Sequence, residues 1–331
     1  MSMIEFDDVT KVYDDGTVAI EDISFTVEEG TTTVLVGPSG CGKTTTMKLV
    51  NRLEDPTEGT VYFDGQDVTE QDPVDLRRNI GYVIQEIGLF DHMTVGENVA
   101  TVPELKGWER DRIDERIDEL LDLMDLPADQ YRDQYPGELS GGQRQRVGVA
   151  RALAADPDVL LMDEPFGALD PITRSSLQDE FLEIQEQINT TILFVTHSVD
   201  EALKMGDRIA IFDVGELVRY DTPAKILEDP GSAFVDDFLG DDRALKQLQV
   251  TPVRSVMREE VPAEFDGLAT NGAEALVPVE PTDTAQTALS RIIQAGTDSV
   301  PVVEGDSVVG TVSESDIRDR TEMTVQDAEV V

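Results

Sequence analysis

The chain has 331 residues, 40% of them hydrophobic, and carries 26 Lys and Arg against 69 Asp and Glu, a formal net charge of −43. That length suffices for two domains with a sizeable core, and that apolar content excludes a disordered chain. The acidic excess argues against nucleic acid or an anionic membrane surface as a partner, since both are themselves polyanionic.

The acids are spread along the chain rather than gathered in a tail. Two explanations fit: a high-salt cytoplasm, where screening removes the self-repulsion, or a basic partner. No apolar run approaches the ~20 residues needed to span a bilayer. Residues 1–5 do not read as a signal peptide. The expected location is therefore the cytosol, or the cytosolic side of a membrane partner. The single cysteine, Cys41, cannot form an internal disulfide, which agrees with a reducing compartment.

In chain order, residues 3–27 alternate apolar and polar side chains, which predicts antiparallel strands with a turn at Asp14-Asp15-Gly16. Tyr13, just before that turn, is either a stacking platform for an adenine base or a half-buried strand residue. Residues 31–36 read as a buried strand and 45–53 as a helix stopped by Asp55-Pro56. Between them stands Gly37-Pro38-Ser39-Gly40-Cys41-Gly42-Lys43-Thr44, which fits the phosphate-binding pattern G-x-x-x-x-G-K-[ST] in its required strand–loop–helix setting. Glycines let successive N–H groups point at phosphate oxygens, and the helix start adds partial positive charge. Lys43 is placed to reach the β- and γ-phosphates of a nucleoside triphosphate, and the Thr44 hydroxyl to ligate Mg²⁺. Cys41, at a variable position of the loop, reads as a small filler.

Strands are expected at 60–65 and 80–85, the second closing on Gln85. From residue 94 the character turns helical. Over 109–124 the apolar Ile113, Ile117, Leu120, Leu121 and Met124 share one face. This reads as a helical insertion, about 94–150, in an α/β domain. Leu139-Ser140-Gly141-Gly142-Gln143 then opens another helix, carrying Arg144, Arg146 and Arg151. Ser140 with two glycines makes either a second anion-binding helix start or a plain cap. A second such start beside a single P-loop makes sense if it serves a nucleotide held by another copy.

Residues 159–165 form an apolar strand ending in Asp163 and Glu164. Were it to run beside the P-loop strand, Asp163 would lie near Mg²⁺ and Glu164 would face the γ-phosphate, orienting an attacking water. The competing reading is an acidic helix cap. Residues 191–197 form another buried strand, ending in His197, one of two histidines. Gln85, Asp163 and His197 thus close three expected parallel strands and converge on the P-loop face.

Together these residues resemble the ATP-binding subunit of ABC transporters over roughly residues 3–240. The resemblance implies an α/β P-loop NTPase core with an antiparallel β subdomain and the helical insertion, binding ATP and Mg²⁺ as a homodimer. It implies that Tyr13 stacks on adenine and that Gly37, Pro38, Ser39, Gly40, Cys41, Gly42, Lys43, Thr44 and Thr45 hold the phosphates. Thr44, Gln85 and Asp163 would serve the metal, Glu164 the water and His197 the γ-phosphate. Ser140, Gly141, Gly142 and Gln143 would close over ATP on the opposite subunit, and Ala168-Leu169-Asp170 would be the dimer-contacting loop. A kinase or GTPase would lack the last two features.

The run from Gln85 through Trp108 is similar to importers of quaternary amines such as glycine betaine, choline or carnitine. In that family this surface receives the coupling helix of a membrane permease, itself fed by a substrate-binding protein. Leu89, Phe90 and Trp108 are then partner contacts or ordinary core. The alternatives are import of another solute, or a soluble ABC ATPase without a permease.

Asp241-Asp242-Arg243 suggests a boundary, giving expected domains 1–240 and 251–331 with a linker at 241–250. Residues 276–320 read as strand (276–279), helix (283–294), strand (299–303), a turn at Glu304-Gly305-Asp306, strand (307–312) and helix. Behind Thr251-Pro252-Val253-Arg254-Ser255-Val256-Met257, this order resembles a small α+β CBS module. Ser313 and Asp316 match the place where such modules hold the ribose and phosphate of adenine nucleotides. A purely structural or dimerising role is the alternative, and only one full repeat of the usual tandem pair is present. Residues 251–331 carry 5 basic and 16 acidic residues, which disfavours docking on anionic lipid.

On the high-salt reading, dialysis from molar salt into dilute buffer abolishes the folded circular-dichroism spectrum. An unchanged spectrum in dilute buffer would overturn that reading.

Overall fold

Alternating burial makes a hairpin of β1 (Ser2–Val12) and β2 (Val18–Glu28), paired antiparallel. Ile4, Phe6 and Val9 are buried, and the change of register between Phe6 and Val9 is absorbed where Asp8 takes a positive φ of 49°. The computed structural model describes residues 2–85, 88–167, 169–188, 190–259, 261, 277–305 and 307–319. It divides into two compact units, Met1–Tyr220 and Asp221–Val331.

In the first unit the hairpin is followed by β3 (Thr32–Val36), α1 (Lys43–Val50), β4 (Glu58–Phe63), β5 (Gln66–Asp67), α2 (Pro73–Arg78) and β6 (Ile80–Val83). Next come α3 (Val95–Leu105), α4 (Arg110–Leu123), α5 (Ala128–Tyr131) and α6 (Gly141–Leu153), with no strand among the described residues between β6 and β7 (Val159–Asp163). The unit continues with α7 (Pro171–Gln187), β8 (Thr191–Thr196), α8 (Val199–Met205), β9 (Arg208–Asp213) and β10 (Glu216–Asp221). One sheet runs β2-β1-β4-β5 and the other β10-β9-β3-β8-β7-β6. In the second sheet β9, β3, β8, β7 and β6 are all parallel. Its central strands read as unbroken apolar runs because both of their faces are buried, in part against the first sheet. Every residue of β8 is buried.

In this unit two sequence expectations need adjustment. The strand ending in Asp163 does not run beside the P-loop strand: β8 lies between them, and Val195 of β8 pairs with both Leu35 and Asp163. The strand expected to close on Gln85 stops at Val83, leaving Gln85 in a turn two residues beyond it.

Two buried or capped side chains shape the helical stretch. Thr94 and Glu97 form a reciprocal cap on α3. Asn98, 0% exposed, accepts from Phe90 N at 2.8 Å and donates to the carbonyls of Phe90, Met93 and Thr94, which fixes the turn presenting Phe90 to solvent. Beyond α3, the Arg112 guanidinium lies 3.4 Å from the ring centroid of Trp108, the chain's sole tryptophan.

The second unit contains α9 (Pro223–Glu228), α10 (Ala233–Leu239), α11 (Arg243–Val250), α12 (Ala285–Ala295), β11 (Ser299–Glu304), β12 (Ser307–Ser313) and a helix at 314–319. The expected linker at 241–250 is thus largely helix, and Leu248 joins the core formed by Val253, Ala288, Ile292, Val300, Val302 and Val312. β11 and β12 pair antiparallel. The strand expected at 276–279 is reduced to one parallel bridge, Val279 to Val302, with Leu276 outside the described residues. Asp306 of the expected turn also lies outside them, as do Glu86, Ile87 and Ala168.

Phe194 is fully buried on β8 and its ring centroid lies 5.9 Å from that of Phe166. Phe194→Ala is expected to cost about 3–5 kcal/mol of stability, read as a lower midpoint in urea unfolding.

Candidate active site

Four parallel strands end on one edge, and each delivers a candidate side chain there. β3 runs into the P-loop, whose tight backbone only glycine permits at two points. A Cβ on Gly37 (φ 155°) would fall 2.2 Å from Phe212 O, and one on Gly42 (φ 107°) 2.5 Å from Ala19 O. Cys41, 2% exposed, fills the inside of the loop, consistent with a filler rather than an exposed thiol. Lys43 is 5% exposed, and its ammonium donates to Gly37 O at 2.7 Å and Pro38 O at 2.9 Å. Tyr13 meets the P-loop helix through its hydroxyl, 3.2 Å from Thr45 Oγ1.

Thr44 Oγ1 donates to Asp163 Oδ1 at 3.2 Å, bridging the width of the intervening strand because α1 begins over the sheet edge. Burial raises the pKa of the Asp163 carboxyl, the Thr44 hydrogen bond opposes that rise, and the Glu164 charge adds to it. This hydroxyl–carboxylate pair is an all-oxygen donor set of the kind Mg²⁺ shares with substrate phosphates.

Glu164 leaves the strand with a positive φ of 46°, a strained backbone for a residue with a side chain. Its N–H donates to Val195 O at 2.9 Å, and its carbonyl accepts from Gly167 N at 3.0 Å. Gln85 Nε2 donates to Glu164 Oε2 at 3.2 Å, and His197 Nδ1 lies 3.5 Å from the same oxygen. Of the expected trio Gln85, Asp163 and His197, Gln85 and His197 meet at Glu164, the residue after Asp163, while Asp163 itself is held by Thr44.

The segment from Leu139 to Gln143 is held by its own cap. Ser140 caps α6 reciprocally with Gln143, at 3.2 Å and 2.8 Å, and Gln143 Nε2 also donates to Tyr131 OH at 3.0 Å. Gly142 faces α7, where a Cβ would come within 3.2 Å of Thr173 Cγ2, and Gly141 faces Leu169. Asp170 caps α7, accepting from Ile172 N and Thr173 N. Ser313 and Asp316 hold each other at 2.5 Å, and the second Asp316 oxygen takes Arg258 Nε at 2.5 Å.

One buried acid beside the site escaped the sequence reading. Glu201 is 7% exposed, accepts from Thr196 Oγ1 at 2.5 Å and Gln178 Nε2 at 3.0 Å, and lies 3.9 Å from Arg174 Nε. Ser198-x-x-Glu201 reads as a capping box, which would turn the carboxylate back to Ser198 N. Instead Ser198 N donates to Thr196 Oγ1 at 3.0 Å, freeing the carboxylate to point inward. Only the helix phase, which puts Glu201 beside Ala202 and Met205, hinted at burial.

The chain matches the family model described as ABC transporter over residues 20–167 and the one described as CBS domain over 253–322. It is 44% identical to the glycine betaine uptake system ATP-binding protein YehX of Escherichia coli, across 91% of this chain and 94% of that one. It is 52% identical to the carnitine transport ATP-binding protein OpuCA of Listeria monocytogenes over 77% of this chain, but the match spans only 64% of that relative's length. Among solved structures, the dimeric post-hydrolysis state of the ATP-binding cassette MJ0796 bound to ADP and Pi superposes with a TM-score of 0.60 at 32% identity, covering 67% of this chain and 99% of that one. The chain belongs to the family of ABC transporter ATP-binding proteins.

Proposed function

We propose that the chain is the ATP-hydrolysing subunit of an importer for a quaternary-amine osmoprotectant such as glycine betaine, choline or carnitine, working as a homodimer beneath a membrane permease. The observation that carries the hydrolytic part is the meeting of Gln85 and His197 at one oxygen of Glu164. The substrate class rests on what the curated relatives are named for. No helix among the described residues is long and apolar enough to cross a membrane.

In this reading Tyr13 stacks on adenine, and the N–H groups from Gly37 to Thr45 cradle the phosphates. Lys43 exchanges the carbonyls of Gly37 and Pro38 for phosphate oxygens. Thr44, Asp163 and Gln85 hold Mg²⁺, which when bound neutralises phosphate charge. Glu164 orients a water through its second oxygen as that water attacks the γ-phosphorus. The bond to the ADP oxygen breaks, and His197 steadies the γ-phosphate. Ser140, Gly141, Gly142 and Gln143 of one subunit, with Asp170 beside them, complete the nucleotide site of the other. An adenine nucleotide at Ser313 and Asp316 of the CBS module would have to displace Arg258 from the carboxylate.

Glu164→Gln is expected to lower kcat by about 100-fold or more while trapping an ATP-bound dimer on size exclusion. A wild-type rate would overturn the catalytic assignment. Reconstituted in proteoliposomes with its permease and binding protein, the ATPase rate is expected to rise with glycine betaine. A robust rate indifferent to betaine would discard the substrate class and keep the ATPase.

A further inference from the structure

We propose that Glu201 is a positioning residue for ATP hydrolysis, tying the His197 segment to the dimer-facing loop at Asp170. This inference rests on the roles proposed above for His197 and Asp170. Glu201 grips Thr196, the residue before His197, through a 2.5 Å hydrogen bond from the hydroxyl. Its other oxygen accepts from Gln178 on α7 at 3.0 Å and lies 3.9 Å from Arg174 Nε. Arg174, also on α7, donates from Nη2 to Leu169 O at 3.0 Å, one residue before Asp170. Lys204 on α8 approaches Gln178 Oε1 at 3.4 Å, a second tie between the two helices.

The path from His197 to Asp170 thus runs through one carboxylate and one guanidinium. Between those two ends it uses Thr196 of β8, Glu201 of α8 and Arg174 of α7. Stability alone would be better served here by apolar packing, because a buried carboxylate gives up hydration that its partners only partly restore. A carboxylate does supply what packing does not: directional ties from the residue before His197 to α7, the helix that Asp170 caps. Displacing either end shifts a group whose placement relative to the phosphate governs rate more than binding.

The test is steady-state ATPase kinetics and thermal melting of the full chain for wild type, Glu201→Gln, His197→Ala and the double variant. Glu201→Gln is expected to lower kcat about tenfold with KM for ATP changed less than about twofold. In the His197→Ala background the same substitution is expected to change kcat little, since the group it positions is gone. Unchanged kcat in Glu201→Gln, or a loss of equal size in both backgrounds, would overturn the proposal in favour of a merely structural acid. Full activity of His197→Ala would instead overturn the His197 assignment itself. Should Glu201→Gln fail to fold, Arg174→Leu keeps the ties of Glu201 to Thr196 and Gln178 and removes its contact with Arg174 together with the bond to Leu169 O. A kcat loss of similar size is expected there, and a wild-type kcat would overturn the link to the loop.

Discussion

Parallel pairing is the constraint on which the site depends. Because β3, β6, β7 and β8 run in one direction, everything that follows their last residues emerges on one edge. The P-loop, the Gln85 turn, Asp163 with Glu164, and His197 come from four distant stretches of sequence, yet none needs a long excursion to meet the others. β8 acts as the spacer: it keeps Asp163 one strand away from β3, and the start of α1 spans that gap through Thr44. A strand inserted or removed there would break the hydroxyl–carboxylate pair without altering a single motif.

Electrostatics at this edge run against the ligand. Asp163 and Glu164 face the place where the resemblance puts a triphosphate, on a chain already far in acidic excess. Burial already disfavours the charged form of Asp163, and its neighbour adds repulsion. A polyanionic ligand is tolerable there only beside positive groups, and Lys43 and the start of α1 supply them. The positive backbone angle at Glu164 belongs to the same arrangement, since it turns the carboxylate out of the strand direction toward Gln85 and His197.

Most of the site was legible because each motif sits at a strand end, and strand ends show up as apolar runs followed by a polar residue. Asp163, Glu164 and His197 are read this way, whereas the P-loop is read from its own G-x-x-x-x-G-K-[ST] pattern. Strand order was not legible: both β7 and β8 are uniformly apolar, and periodicity says nothing about which lies beside β3. Glu201 was missed because its local pattern satisfied a capping rule, and only tertiary packing chose Thr196 and Gln178 as partners instead. The helix at Arg243–Val250 was missed for a related reason. Its acidic preface looked like a boundary, while the burial of Leu248 is a long-range property.

Trp108 offers one more consequence. It is the sole indole in 331 residues, and it stands where α3 hands over to α4. Its emission therefore comes from one place, with a guanidinium pressed against the ring at 3.4 Å. A cation so near an indole face perturbs its excited state, so quantum yield and colour will follow any event that shifts Arg112. The protein carries an intrinsic optical probe on its helical stretch, far along the chain from the P-loop, and needs no label to report what touches that region.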